Sequence, residues 1–132
     1  MTPAEVLAAA RHLLKGPVPT GPGGWQRAVA LLTRQALEQA IEEFWTANPA
    51  TAGLVDCTRK TQLTCLPVYL QPHLARQTSY MWATLSSACH YHPYDLAPTA
   101  SELRGWIDAV AELLEEIVTT MPPSATVDTS SK

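Results

Sequence analysis

Two histidines next to a proline are the residues of this chain best suited to proton transfer. His90 and His92 stand in the run Cys-His-Tyr-His-Pro, at the end of an amphipathic segment. Imidazole titrates near neutral pH, and a helix C-terminus stabilises its charged form, which suits a general acid or base. Histidine at a helix end can also hydrogen-bond the last carbonyl groups and serve a purely structural purpose. Both interpretations are open from the sequence.

Thiol and metal chemistry are the alternatives in the same run. Cys89 falls on an apolar stripe, and successive helical residues point about 100° apart, so His90 is poorly placed to activate it. Cys57, Cys65 and Cys89 are an odd number without paired spacing. The run also lacks the spacing of structural zinc sites, so we expect no metal and no other cofactor. A metal-binding regulator stays an alternative, because thiol and imidazole groups are concentrated here.

Hydroxyl, phenol and carboxylate groups surround the histidines. Trp82 and Trp106 fall on apolar stripes and are expected in the core. The candidate binding residues are Ser86, Ser87, Tyr91, Tyr94 and Asp95. Exposed aromatic rings can stack on bases or anchor a partner protein. These residues are therefore as consistent with a binding surface as with a catalytic site.

Local signals predict five helices that position these groups. Capping boxes at Thr2–Glu5 and Thr99–Glu102 begin the first and last helices. A linker rich in glycine and proline, residues 16–24, follows the first helix and could let it detach. The second helix ends at Asn48-Pro49.

The third and fourth helices are separated by proline signals. Asp56 or Thr58 is expected to cap the third helix. Pro67 removes a backbone donor inside that segment, so we expect a kink or break near Leu66. The fourth helix is predicted from Pro72 into the histidine run.

Amphipathic helices without a strand pattern predict an all-α, up-and-down bundle of four to five helices. Residues 1–121 are expected to form a single domain, and residues 122–132 a disordered tail. The short connection between the fourth and fifth helices makes them antiparallel neighbours. The histidine run therefore lies at one end of the bundle.

Charge and hydropathy narrow the classes of partner. The formal net charge of −3 argues against binding nucleic acid over the whole surface, so any RNA contact would be local. We see no secretory signal and no apolar run long enough to span a membrane. A cytoplasmic protein without membrane association is expected.

The run LSSACHYHPYDLAPTASELRGWIDAV, from Leu85 to Val110, resembles the C-terminal half of HEPN-like helical domains, named for higher eukaryotes and prokaryotes nucleotide-binding. The segment LTRQALEQAIEEFW is similar to their first long helix. The resemblance covers roughly two thirds of the chain, within one domain's length. Catalytic members carry an arginine, a spacer of four to six residues and a histidine. They cleave RNA without a metal, typically as dimers, and many are toxins or defence proteins.

The resemblance assigns His92 to the motif histidine, but no arginine stands at the matching position. Ser87 occupies it, or Ser86 or Leu85 if the spacer is longer. RNA cleavage needs a cation to stabilise the phosphorane, so Arg76, Arg104 or a partner chain would have to supply it. The resemblance therefore implies a non-catalytic, homodimeric module that binds a protein, nucleotide or RNA partner in a toxin–antitoxin or defence context. The alternative is a metal-independent endoribonuclease with His92 or His90 as general acid and base.

Overall fold

Within the residues that the structure describes, the secondary structure consists of five α-helices and one 3-10 helix. The computed structural model describes residues 1–16, 24–90 and 96–120, and these contain no strand. The elements are α1 (Pro3–Lys15), α2 (Gly24–Thr46), the 3-10 helix (Ala52–Asp56), α3 (Arg59–Tyr69), α4 (Pro72–Cys89) and α5 (Ala100–Thr120). The predicted all-α bundle is confirmed. The predicted tail and most of the predicted linker lie outside the described residues.

Both predicted capping boxes form. The Thr2 hydroxyl accepts from the Glu5 amide at 3.1 Å, and the Glu5 carboxylate accepts from the Thr2 amide at 2.7 Å. At the start of α5, Thr99 and Glu102 make the same reciprocal pair at 3.1 and 2.9 Å. Each box satisfies two backbone donors that the first helical turn leaves without an intrahelical acceptor.

Pro67 does not break α3. The helix is continuous from Arg59 to Tyr69, so the break expected near Leu66 is absent. Pro67 lies in the last turn, where its missing N–H forgoes a single hydrogen bond. The Leu70 amide still donates to the Leu66 carbonyl at 2.8 Å and closes the helix. Of the two predicted caps, Thr58 is the one used, and its hydroxyl accepts from the Thr61 amide at 3.2 Å.

The core forms around α2, which packs against α1, α4 and α5. Its fully buried side chains include Leu37 and Trp45, and the buried Thr33 satisfies its hydroxyl by donating to the Val29 carbonyl at 2.8 Å. α1 and α4 each pack against both α2 and α5. None of the described helices is both long and apolar enough to cross a membrane.

The ends of α4 and α5 show how these two helices run. His73, near the start of α4, lies 3.9 Å from the Glu116 carboxylate near the end of α5. The end of α4 and the start of α5 line one cleft. The predicted antiparallel arrangement is therefore confirmed, and it places the end of the histidine-bearing helix beside the capped start of α5.

Candidate functional site at the turn between α4 and α5

A cleft of about 610 Å³ opens where α4 ends and α5 begins. Three helices contribute polar or aromatic side chains to it. They are Arg27 from α2, Tyr80, Thr84 and Ser87 from α4, His90 directly after α4, and Glu102 and Trp106 from α5. The cleft thus combines a guanidinium, an imidazole, a carboxylate, two hydroxyls and two aromatic rings.

Helical spacing puts the α4 contribution on one face. Tyr80, Thr84 and Ser87 follow one another at intervals of four and three residues, so they line the same side of the helix. Met81 and Leu85 are buried on another side of the helix. The phenol ring of Tyr80 is 64 % exposed, which makes it the most accessible aromatic ring of the cleft.

The candidate residues Ser86 and Ser87 are adjacent but face different surroundings. Ser87 is exposed and lines the cleft. Ser86 is half-buried, and its hydroxyl accepts from the Arg34 guanidinium of α2 at 3.4 Å. Ser86 is therefore a contact between helices, whereas Ser87 is available to a ligand.

His90 enters the cleft because the helix ends one residue earlier. Its backbone is extended, with φ −86° and ψ 140°, and its amide donates to the Ser87 carbonyl at 3.3 Å. The imidazole is exposed and shares the cleft with the Ser87 hydroxyl. The candidates Tyr91, His92, Tyr94 and Asp95 lie outside the described residues, so their roles stay predictions.

Arg27 is the functional residue that sequence reasoning missed. It is the fourth residue of α2, and it lines the cleft although more than fifty residues of chain separate it from Ser87 and His90. Arg76 and Arg104, the cations considered from the sequence, are both exposed and neither lines the cleft. The sequence does place Arg27 at the start of α2. It does not show that α2 packs antiparallel to α4, and this packing brings Arg27 beside the end of α4.

Glu102 sets the charge balance of the cleft. One of its carboxylate oxygens accepts from the Thr99 amide at 2.9 Å, and the second oxygen remains for another donor. The carboxylate offsets the charge of Arg27 within the described lining. A ligand that fits this lining carries both an anionic group and hydrogen-bond donors.

A polar cluster behind the cleft holds α4 against α2. Glu38 accepts from the Trp82 indole N–H at 2.8 Å. Its carboxylate also lies 3.7 Å from the Arg34 Nε and 3.8 Å from the Arg59 Nε. These groups are only about a quarter exposed, so water screens them less than it screens surface ion pairs. The cluster fixes the face of α4 on which Tyr80 and Ser87 stand.

Cys89 belongs to the core side of α4. Burial raises the pKa of its thiol, the Arg34 guanidinium opposes this, and the Glu38 carboxylate adds to it. A protonated, partly buried thiol is a poor nucleophile, which supports a structural role. In the ranges that the structure describes, no three histidine, cysteine or acidic side chains come together as ligands of a metal ion.

The described part of the cleft therefore combines hydrogen-bonding groups, a guanidinium and the His90 imidazole on one surface. It brings together Ser87 and His90 of the candidates and adds Arg27, Tyr80 and Glu102. Comparisons with protein-family models, with curated proteins and with solved structures found no match, so the resemblance to HEPN-like domains rests on the residues of this chain alone.

Proposed function

We propose that this protein is a non-catalytic, HEPN-like module that binds a nucleotide, or nucleotide units of RNA, in the cleft between α4 and α5. One observation carries the proposal: Arg27, His90 and the exposed Tyr80 line the same cleft. A guanidinium matches phosphate oxygens in a planar, bidentate geometry. A phenol ring offers a surface on which a base of any sequence can stack.

Glu102 supports a nucleotide over a free phosphate. Its carboxylate would repel a bare anion that approaches Arg27. The oxygen not used by the helix cap can accept from the amino group of a base, as acidic side chains do with cytosine. The proposed ligand thus places its phosphate near Arg27 and His90, its ring on Tyr80 and an N–H group near Glu102.

The absence of cleavage in this proposal rests on Ser87. It occupies the position of the motif arginine and supplies a hydroxyl but no charge. Degenerate members of the resembled family are binding or assembly modules, and the same resemblance extends the proposal to a homodimer in a toxin–antitoxin or defence system. Light scattering that finds only monomer over a wide concentration range would remove the dimer from it.

Binding is tested with mononucleotides and a short single-stranded RNA, by calorimetry and fluorescence anisotropy. Because loss of base stacking removes about 1–3 kcal/mol, Tyr80→Ala should weaken RNA binding by about tenfold, whereas Tyr80→Phe keeps the ring and the affinity. Arg27→Gln should lower the affinity for both the mononucleotides and the RNA. The matched control is Arg104→Gln, which removes the same charge from an exposed site outside the cleft. Failure of the wild type to bind either ligand, or equal losses in Arg104→Gln, would contradict the proposal.

A second function, metal-independent RNA cleavage, is favoured by Arg27 standing in the same cleft as His90. A guanidinium from α2 could stabilise the phosphorane while an imidazole transfers the proton. A cleavage assay separates the two functions. RNA is incubated with chelator and with the wild-type protein or one of the variants Arg27→Gln, His90→Ala and His92→Ala. Cleavage by the wild type that these variants lose supports the enzyme. The control His73→Ala removes an exposed imidazole outside the cleft and should change nothing.

A further inference from the structure

A second groove lies at the opposite end of the bundle, and its floor is aliphatic. The start of α1 and the last turns of α2 and α5 enclose about 510 Å³, which we call the α1–α5 groove. Leu114, Ile117 and Val118 of α5 form its floor together with Ala40 of α2 and Pro3 of α1. Val118 is 60 % exposed, an unusual position for valine on a helix that is otherwise strongly amphipathic. Such an exposed apolar surface with a polar border is typical of an interaction site.

The border of the α1–α5 groove is negative. Glu43 and Glu115 line it, and neither carboxylate takes part in an ion pair within the described ranges. α2 and α5 both end here, and neither has a basic residue in its last turn. Their C-terminal carbonyl groups therefore add partial negative charge without compensation. The N-terminus of α1 contributes the opposite sign, but the Glu5 carboxylate already occupies it through the capping box.

We propose that the α1–α5 groove binds an amphipathic helix of a partner protein whose apolar face is bordered by lysine or arginine. An amphipathic helix buries its apolar stripe in a groove of this kind through residues three and four apart. Glu43 and Glu115 stand on different helices, so two elements of the groove offer a carboxylate to basic residues beside the incoming stripe. A second copy of this chain is a poorer occupant, because a symmetric contact would bring the same carboxylates together.

The probe is a labelled helical peptide of leucine and lysine with leucines at helical spacing, followed by fluorescence anisotropy. Two peptides of the same length serve as controls. One replaces lysine by glutamate, and the other contains the same leucines and lysines in an order without a helical stripe. We expect the patterned leucine–lysine peptide to bind at least about tenfold more tightly than either control, and its affinity to fall as salt screens the carboxylates.

Two pairs of variants locate the site. Val118→Asp places a charge on the floor of the groove, while Val68→Asp makes the same change at an exposed valine of α3 outside it. Glu115→Lys reverses a border charge, while Asp56→Lys reverses the charge of the exposed last residue of the 3-10 helix, outside the groove. Val118→Asp and Glu115→Lys should each weaken the leucine–lysine peptide by about tenfold or more, and the two controls should leave its affinity unchanged.

Several results would overturn the proposal. One is no binding of the patterned peptide, or equal binding of the unpatterned one. Another is unchanged peptide binding by Val118→Asp. A third is light scattering in which the wild type is a dimer and Val118→Asp is a monomer, because the occupant of the groove would then be a second copy of this chain. Circular dichroism of each variant confirms that it is folded. The groove is separate from the nucleotide cleft, so either proposal can fail without the other.

Discussion

At the scale of single residues, the Cys89 thiol is predicted to react slowly with alkylating reagents. Because burial raises the pKa of its thiol, Cys89 holds less of the reactive thiolate at pH 7.5 than an ordinary cysteine does, and it is less accessible than the exposed Cys57. We expect iodoacetamide to modify Cys89 at least about tenfold more slowly than Cys57 in the folded protein. Peptide mass spectrometry after timed quenching measures both rates in one sample. Equal rates at pH 7.5 would show that Cys89 is an accessible, activated thiol.

The same shift fixes the sign of the pH dependence. The thiol is held protonated in the folded chain at pH values where the unfolded chain already forms thiolate. Its contribution to stability is therefore complete below the unfolded pKa, and the free energy of unfolding falls as the pH rises above it. Modification of Cys89 should accelerate at a pH above the range of an ordinary cysteine thiol. Cys89→Ser provides the control, because it removes the titrating thiol and should remove this contribution to the pH dependence of stability.

Pairs that are close in sequence were predictable, and pairs that packing brings together were not. The sequence places Arg34 and Glu38 four apart on one helix, and the structure confirms their pairing. The sequence gives no indication that the Glu38 carboxylate also accepts a hydrogen bond from the Trp82 indole N–H, because 44 residues separate the two. The position of Arg27 in the cleft was not predicted for the same reason, since it depends on which helices pack side by side and in which register.

At the scale of elements, Pro67 tests how the effect of a helical proline depends on its position. Pro67→Ala restores an N–H that can donate to the Leu63 carbonyl in the last turn of α3. We expect the free energy of unfolding to rise by about 1 kcal/mol, less than the roughly 3 kcal/mol of a mid-helix position, because the last turn carries less strain and proline also restricts the unfolded chain. Chemical denaturation measures the change.

Pro72→Ala is the matched control for this prediction. Pro72 is the first residue of α4, where no intrahelical partner exists for an N–H. The substitution should leave stability unchanged or lower it slightly. A loss of stability in Pro67→Ala would mean that the proline stiffens the end of α3 more than it weakens it.

Helix starts were predictable at this scale because their signals lie within four residues. Thr2–Glu5 and Thr99–Glu102 form the hydrogen bonds that their side chains allow in almost any context. Of the kink or break expected near Leu66, the break is absent, because Pro67 lies in the last turn of α3 and the sequence does not show how close the end of the helix is.

At the scale of the whole molecule, the sequence predicted helices and one pair of neighbours. The connection between α4 and α5 is short, which favours an antiparallel arrangement. The linker after α1 imposes no such restriction, and the sequence left open whether α1 docks or detaches. In the structure α1 buries Val6, Leu7 and Ala10 against the rest of the core and joins Arg11 to Asp108 of α5 at 2.8 Å.

This docking predicts that α1 unfolds together with the bundle. Leu7 is 5 % exposed, so Leu7→Ala should lower the free energy of unfolding of the whole protein by about 2–4 kcal/mol. The exposed Leu31 supplies the matched control, and Leu31→Ala should lower it by less than about 1 kcal/mol.

Two spectroscopic probes distinguish a docked α1 from a detached one. All four tryptophans lie outside α1, so their fluorescence reports on the rest of the bundle, while far-UV circular dichroism also includes α1. If α1 is part of the cooperative core, the two denaturation curves coincide and Leu7→Ala shifts both equally. If α1 detaches first, circular dichroism shows an earlier step that Leu7→Ala moves, while the fluorescence curve stays in place. The second outcome would also open the α1–α5 groove on the side formed by Pro3 and would leave α5 alone to bind the partner helix.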